Sequence, residues 1–346
     1  MSGWSDVVVS SGVAMRHERD ALPAQHVGRS DRPSSDRLPP KLAGRRILVT
    51  ALSLFAGCSP SSPHEIPETV ITTAAPDVLK LVVVGDIGKP GERHAAVAAA
   101  VAAVCASEGC DLVVFTGDNV YPRGAQSSDD PILEQIFSPY ASLGIPVMAV
   151  LGNHDWGHGF DTDAAEAQVT YAERTPTILL PAPDHIVQAG PATLVGVDTT
   201  RVFWDLLGWR SDWAEESLAA SDAKWRVLVG HHPFRSDGPH GDAGRYEGWR
   251  YVPWMSGRSL AKLFERAVCG HADLYLAGHD HSLQHLQACG RELVVSGAGA
   301  STTPLSPDGD RMWGSESLGF AWIQLADDFT LRFHDQSGRL LHTYVD

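Results

Sequence analysis

Five glycine-led turns in this chain carry side chains that bind cations. They are Gly85-Asp86-Ile87-Gly88, Gly117-Asp118-Asn119-Val120-Tyr121, Gly152-Asn153-His154-Asp155, Gly230-His231-His232-Pro233 and Gly278-His279-Asp280-His281. One Gly-Asp pair is an ordinary turn; five such fragments in a single stretch point to a metal site. As chemistry they offer Asp86, Asp118, Tyr121, Asn153, His231, His279 and His281. Anionic oxygens, one amide oxygen and imidazoles suit two borderline cations better than calcium or a structural zinc. The set contains no cysteine, which disfavours iron–sulfur and zinc-finger chemistry. Two cations roughly 3.5–4 Å apart stabilise both the attacking and leaving oxygens of an in-line displacement, and they ionise a bound water. That chemistry points to phosphate-ester hydrolysis.

The turns need a scaffold that brings them to one place. Each follows a short apolar run: Leu79–Val84, Leu112–Phe115, Ile145–Val150, Trp225–Val229 and Leu274–Ala277. Such runs read as buried parallel strands, and open α/β folds place ligands at strand carboxyl ends. Helices are expected over Pro90–Ser107, Ile132–Leu143, Trp209–Ala220 and Gly257–Ala267, crossing back with right-handed connections. Ala192–Val197 reads as a further strand. The later runs Leu293–Ser296, Phe320–Leu325, Thr330–His334 and Leu340–Tyr344 read as an antiparallel sheet closing one domain, residues 77–346.

The chain has 346 residues, of which 43% are hydrophobic, enough for a substantial core. Its net charge of −15 argues against a nucleic-acid partner held through phosphate contacts. Phosphate substrates stay compatible with that charge, because clustered cations dominate the local potential.

Residues 1–40, rich in Ser, Arg, Asp and Pro, read as a disordered or over-called extension. Residues 41–57 combine Lys41, Arg45 and Arg46 with a short apolar run and read as a signal peptide. The run is shorter than the roughly 20 residues of a spanning helix. Its ending Phe55-Ala56-Gly57-Cys58 resembles the lipobox of bacterial lipoproteins, whose Cys becomes lipidated. The expectation is an exported lipoprotein, periplasmic or cell-surface, held to the membrane through Cys58; the alternative is an apolar strand ending in a stray Cys. Residues 58–76, rich in Ser and Pro, read as a tether. Cys105, Cys110, Cys269 and Cys289 remain, and an exported chain would pair them in one of three connectivities. Cys105–Cys110 with Cys269–Cys289 is the sequence-local choice, and buried free thiols are the alternative.

Taken in order, the five turns resemble those of the calcineurin-like metallophosphoesterases, and more specifically of the purple, or tartrate-resistant, acid phosphatases. The wider superfamily usually has Asp-x-His in its first motif, whereas Ile87 and Gly88 follow Asp86 here. That form, with Tyr121 three residues after Asp118, marks the purple branch. The resemblance implies an α/β fold, an αββα sandwich of two packed mixed sheets flanked by helices. It implies Asp86, Tyr121 and His281 on Fe(III), and Asn153, His231 and His279 on a divalent Fe, Zn or Mn, with Asp118 bridging. The implied reaction is hydrolysis of a phosphate monoester by in-line attack of a metal-bound hydroxide.

His154 matches the residue that places the phosphate and protonates the leaving oxygen, and His240 matches a loop His that faces substrate. Asp155 either orients His154 or caps a turn. His232 stands where relatives commonly have Tyr. Trp156 and Trp249 read as pocket mouth or as packing, and His158, His185, His271 and His285 as surface or core residues. A phosphodiesterase or pyrophosphatase on the same scaffold is the rival enzyme, disfavoured by the missing Asp-x-His and by Tyr121. A non-catalytic surface lipoprotein that binds metal or phosphate is the other rival, disfavoured by the intact ligand set and His154.

Overall fold

The computed structural model describes residues 68–71, 77–157, 161–205, 208–248 and 255–346. The expected extension, signal peptide and Cys58 lie outside the described residues, as do His158 and Trp249.

The first half of the chain alternates strand and helix: β1 (Glu68–Ile71), β2 (Leu79–Val84), α1 (Glu92–Glu108), β3 (Leu112–Phe115), α2 (Pro131–Ala141), β4 (Val147–Ala149), α3 (Thr162–Glu173) and β5 (Ile178–Leu179). Then come β6 (His185–Ala189), β7 (Ala192–Gly196), α4 (Thr199–Trp204), α5 (Trp209–Ala220), β8 (Trp225–Val229) and α6 (Arg258–Leu263), which runs into a wider π-type turn. The chain closes with β9 (Leu274–Ala277), β10 (Leu283–Ala288), β11 (Arg291–Ser296), β12 (Trp313–Ser315), β13 (Gly319–Leu325), β14 (Phe329–Asp335) and β15 (Leu340–Val345).

These strands form two mixed sheets. One has the order β15-β14-β13-β2-β3-β4-β5, the other β1-β6-β7-β8-β9-β11-β10-β12. Strands β2 to β5 run parallel, as do β7, β8, β9 and β11. The late strands therefore do not form a closing sheet of their own. β13 joins antiparallel to β2 in one sheet, and β10 joins antiparallel to β11 in the other. Residues Glu68–Ile71, within the expected tether, pair in parallel with β6.

The layering follows from strand periodicity, because successive side chains point to opposite faces. Leu81 and Val83 of β2 enter the core between the sheets with Leu194, Val227 and Leu276. Val82 and Val84 face the other way, onto Val97 and Val101 of α1 and Phe137 of α2. In the second sheet Val195, Leu228 and Tyr275 turn outward onto Ala214, Leu218, Leu260 and Phe264. Strands buried on both faces have no polar alternation, so their sequences are nearly continuous Val and Leu. The result is the αββα sandwich.

Several elements had weak sequence signals. α3 buries Ala164, Ala165, Ala167 and Ala172, small residues that draw no apolar stripe. Its start was marked by Asp161, whose carboxylate caps the Ala164 N–H at 3.2 Å. β10 buries Gln284 and His285, which break an apolar run. Gln284 is satisfied by Ser236 and the Asp237 N–H, and His285 Nε2 meets Glu292. The disulfides are Cys105–Cys110, at the end of α1, and Cys269–Cys289, tying the segment after α6 to the β10–β11 turn.

Candidate metal centre

Three of the candidate ligands sit in the left-handed backbone region: Asp86 (φ 57°), Asp118 (φ 52°) and His279 (φ 69°). Each follows a glycine that comes directly after a strand or one residue later, where the chain must reverse. Such backbone strain costs on the order of 1–3 kcal/mol per residue and gathers at functional sites. The preceding glycines allow neighbouring turns to touch. A Cβ on Gly152 would lie 2.2 Å from Asp118 Oδ1, and one on Gly278 would lie 2.5 Å from Asp86 Oδ2. The recurring Gly before each ligand is thus a packing requirement of the cluster itself.

The side chains converge. The Tyr121 hydroxyl donates to Asp86 Oδ1 at 2.9 Å and lies 3.0 Å from His281 Nε2. His281 Nε2 is 3.3 Å from the same Asp86 oxygen. His231 Nε2 stands 3.4 Å from Asp118 Oδ1, 3.1 Å from Asn153 Oδ1 and 3.1 Å from His279 Nδ1. Single ligand atoms of Asp86, Asp118 and His231 all lie within 4.8 Å of one another. The structure thus brings together all seven sequence-predicted ligand residues, with Asp118 between the Asp86 and His231 groups.

A cation fits this donor set. His231 Nδ1 lies 2.9 Å from the Thr116 carbonyl, an acceptor only, so Nδ1 carries a proton and Nε2 is the ring nitrogen that faces the cluster. Nε2 faces a carboxylate oxygen and an amide oxygen. Burial lowers the His231 pKa, but the Asp118 and Asp86 carboxylates outweigh it and raise the value, so a proton holds the place that a cation would take. Asp86 and Asp118 are buried. Burial raises the Asp86 pKa, but His281, His231 and Tyr121 outweigh it and hold the carboxyl below its usual range. Burial, then the neighbouring imidazoles, keeps His279 well below the usual His value, in the neutral form that ligates. Burial and the Asp86 and Asp118 carboxylates push the Tyr121 phenol well up. Only a strong Lewis acid makes it a phenolate there.

The non-ligand histidines stand at the edge. His154 donates its backbone N–H to Asp118 Oδ1 at 2.9 Å, and its ring lies 4.3 Å from that of Tyr121, centroid to centroid. The His240 ring lies 4.1 Å from His279, and Glu247 holds its Nδ1. His232 is buried, with Nδ1 2.9 Å from Thr199 Oγ1 and its ring against His279.

Asp155 does not orient His154. Its oxygens accept from the backbone N–H groups of Asn119, Val120 and Gly152 and from Gln168 Nε2. It therefore ties the Asp118 turn to the Asn153 turn, and the acceptor for the His154 ring is the Pro122 carbonyl. Trp156 packs in the helix-side core under the Arg201 guanidinium, not at the pocket mouth. His185 is a buried core residue, while His271 is half-buried beside Glu215.

Sequence reasoning missed three supports. Thr199 Oγ1 accepts the N–H groups of both His231 and His232 at 3.1 Å, fixing that turn. Asp280 accepts the His240 N–H at 3.0 Å and the Ser236 hydroxyl, anchoring the His240 loop to the His279 turn. Glu247 meets His240. The Asp280 signal was present in the sequence, as the acidic residue between two ligand histidines.

Comparison with known proteins agrees with this geometry. The chain is 28% identical over 344 residues to purple acid phosphatase 17 of Arabidopsis thaliana, covering 88% of this chain and 96% of that one. It is 25% identical over 321 residues to tartrate-resistant acid phosphatase type 5 of Rattus norvegicus, covering 80% and 92%. Among solved structures, the fold matches GAP50, the anchor in the inner membrane complex of Plasmodium, with TM-score 0.63, 20% identity and coverage of 78% and 88%. It also matches the purple acid phosphatase PPD1 of yellow lupin (Lupinus luteus) seeds, with TM-score 0.59, 19% identity and coverage of 78% and 53%. The family model for calcineurin-like phosphoesterases spans residues 79–283, from β2 through the His279–His281 turn. With its sandwich fold and that match, the chain belongs to the calcineurin-like phosphoesterase family.

Proposed function

We propose that this protein is a dinuclear phosphatase that hydrolyses phosphate monoesters, in the manner of the purple acid phosphatases it resembles. The observation that carries the reading is the pairing of Tyr121 with Asp86 and His281 on one side of Asp118, and of Asn153 with His231 and His279 on the other. In this reading Asp86, Tyr121 and His281 would hold a ferric ion and Asn153, His231 and His279 a divalent Fe, Zn or Mn, with Asp118 placed to serve both. Two cations bound there supply Lewis acidity toward the phosphoryl oxygens and a water ionised near neutral pH.

The chain's own residues do the rest. Asp155 and Thr199 fix the turns so that the ligand atoms are preorganised before substrate arrives. His154, beside Asp118, hydrogen-bonds the phosphoryl oxygens. His240, held by Glu247 over His279, gives a proton to the departing oxygen. The family resemblance gave both tasks to His154; the hold of Glu247 on His240 over His279 favours dividing them.

The test compares 4-nitrophenyl phosphate with bis(4-nitrophenyl) phosphate on protein loaded with iron and then with iron, zinc or manganese. Preferred hydrolysis of the monoester is expected. Preference for the bis-ester would identify a phosphodiesterase instead, and no turnover with both metals bound would identify a binding protein.

We also infer an exported lipoprotein anchored through Cys58, on the basic flank, short apolar run and Phe55-Ala56-Gly57-Cys58 ending. Among the described residues no helix is long and apolar enough to cross a membrane. Cys58→Ser is expected to move the protein out of the membrane fraction; unchanged fractionation would refute the anchor.

A further inference from the structure

A pocket of about 170 Å³ opens beside the candidate metal centre, and among the described residues it runs from Asn153 and His279 out to Phe203, Trp204 and Met255, with Glu247 at its edge. Its inner end is therefore made by residues assigned to the divalent ion, and its outer end by large apolar side chains. Phe203 and Trp204 lie with ring centroids 5.0 Å apart, and Phe203 stacks on Tyr246 at 6.2 Å and 18°. Trp204 is 41% and Met255 39% exposed, so large apolar side chains border the pocket beside a polar reaction centre.

We infer that this pocket seats the organic group of the ester, and that the group it takes is a single uncharged aromatic ring. The inference rests on the monoesterase reading above. Size sets the first limit: drug-sized ligands need roughly 300–1,000 Å³, whereas an apolar cavity of about 150 Å³ holds benzene. Chemistry sets the second. Aromatic faces and a thioether favour a flat ring, which gains from offset or edge contacts with Phe203 and Trp204. Charge sets the third. Among the described residues no Lys or Arg lines the pocket, so leaving groups that carry further phosphates find no counter-charge there and nucleoside di- and triphosphates are poor fits. An ester seated this way brings its departing oxygen to the side of the centre where Glu247 holds His240.

Two measurements test the pocket. The first is the ratio of kcat/KM for phenyl phosphate to that for ethyl phosphate, in wild type and Trp204→Ala. Wild type is expected to favour the aryl ester beyond its intrinsic reactivity. Trp204→Ala is expected to lower the ratio about tenfold, mostly through KM, with Trp204→Phe recovering most of it. An unchanged ratio in Trp204→Ala with circular dichroism intact would overturn the assignment. The second is calorimetric binding of phenylphosphonate and methylphosphonate to the metal-loaded protein, which needs no turnover. Tighter phenylphosphonate binding that Trp204→Ala and Met255→Ser both weaken supports the pocket even if neither ester is cleaved, in which case only the monoesterase reading fails. Equal affinity for the two phosphonates would overturn the pocket even if both esters are cleaved.

Discussion

His154 Nδ1 lies 2.6 Å from the carbonyl oxygen of Pro122, one residue beyond Tyr121. A carbonyl only accepts, so Nδ1 carries a proton, and Nε2 is turned toward Asp118 Oδ2, 3.9 Å away. The ring is thus aimed by the same loop that carries Tyr121.

His154→Ala is therefore expected to keep both metals. With Nδ1 on a carbonyl, Nε2 donates to a phosphoryl oxygen only as imidazolium, and removing that donor to a developing oxyanion lowers kcat by about 10²–10³. The loss should be similar for phenyl and ethyl phosphate, whereas His240→Ala should lose more on ethyl phosphate, whose leaving oxygen needs a proton. Metal analysis and kcat on the two esters check this; loss of a metal in His154→Ala would make the residue structural.

Tyr121 gives a spectroscopic test. Its phenol is held well above the usual pKa by burial and by Asp86 and Asp118, so only a bound cation of high charge ionises it. Iron-loaded, oxidised protein is expected to absorb broadly in the visible, and Tyr121→Phe to lose that band while retaining iron. A colourless ferric wild type would remove Tyr121 from the ligand set.

Asp155 gives a stability test. Asp155→Ala leaves three backbone N–H groups and the Gln168 amide without the acceptor they share. Each buried unsatisfied donor costs about 1–3 kcal/mol, so a loss of at least about 3 kcal/mol is expected, together with weaker metal retention. Urea denaturation checks the first and metal analysis the second. A near-neutral mutation would mean that the Asp118 and Asn153 turns are tied together by something else.

Asp198 gives a pH test away from the metals. It is buried beside Asp184, and burial, then the Asp184 charge, pushes its pKa up to about 8 despite the Arg201 N–H, Arg210 and Arg201. Unfolded, the same group releases its proton near the usual value of about 4. Between pH 4 and 8 the folded state therefore holds the extra proton, and this group's contribution to stability falls as pH rises. Asp198→Asn, neutral throughout, should flatten that decline, seen as a smaller difference between denaturation midpoints at pH 5 and pH 8. An unchanged slope would place the retained proton elsewhere.

The sequence by itself determined the ligand chemistry and the strands that deliver it. Five turns of the Gly-Asp, Gly-Asn and Gly-His kind each follow an apolar run, and burial on both faces makes such runs interior strands. Residue type and strand-end position are local properties, readable one fragment at a time. The disulfides Cys105–Cys110 and Cys269–Cys289 were the sequence-local choice for the same reason. What only the tertiary structure decided was which sheet each late strand joins, since Leu293–Ser296 and Phe320–Leu325 read alike as late short strands but pair with β9 and β2. It also decided that Asp155 braces two turns rather than His154. A carboxylate's partners here are backbone N–H groups, which every residue carries and no sequence pattern distinguishes. The pocket of Phe203, Trp204 and Met255 was invisible for a related reason. Its walls come from segments far apart in sequence, and an exposed Trp or Met looks the same in sequence as a buried one.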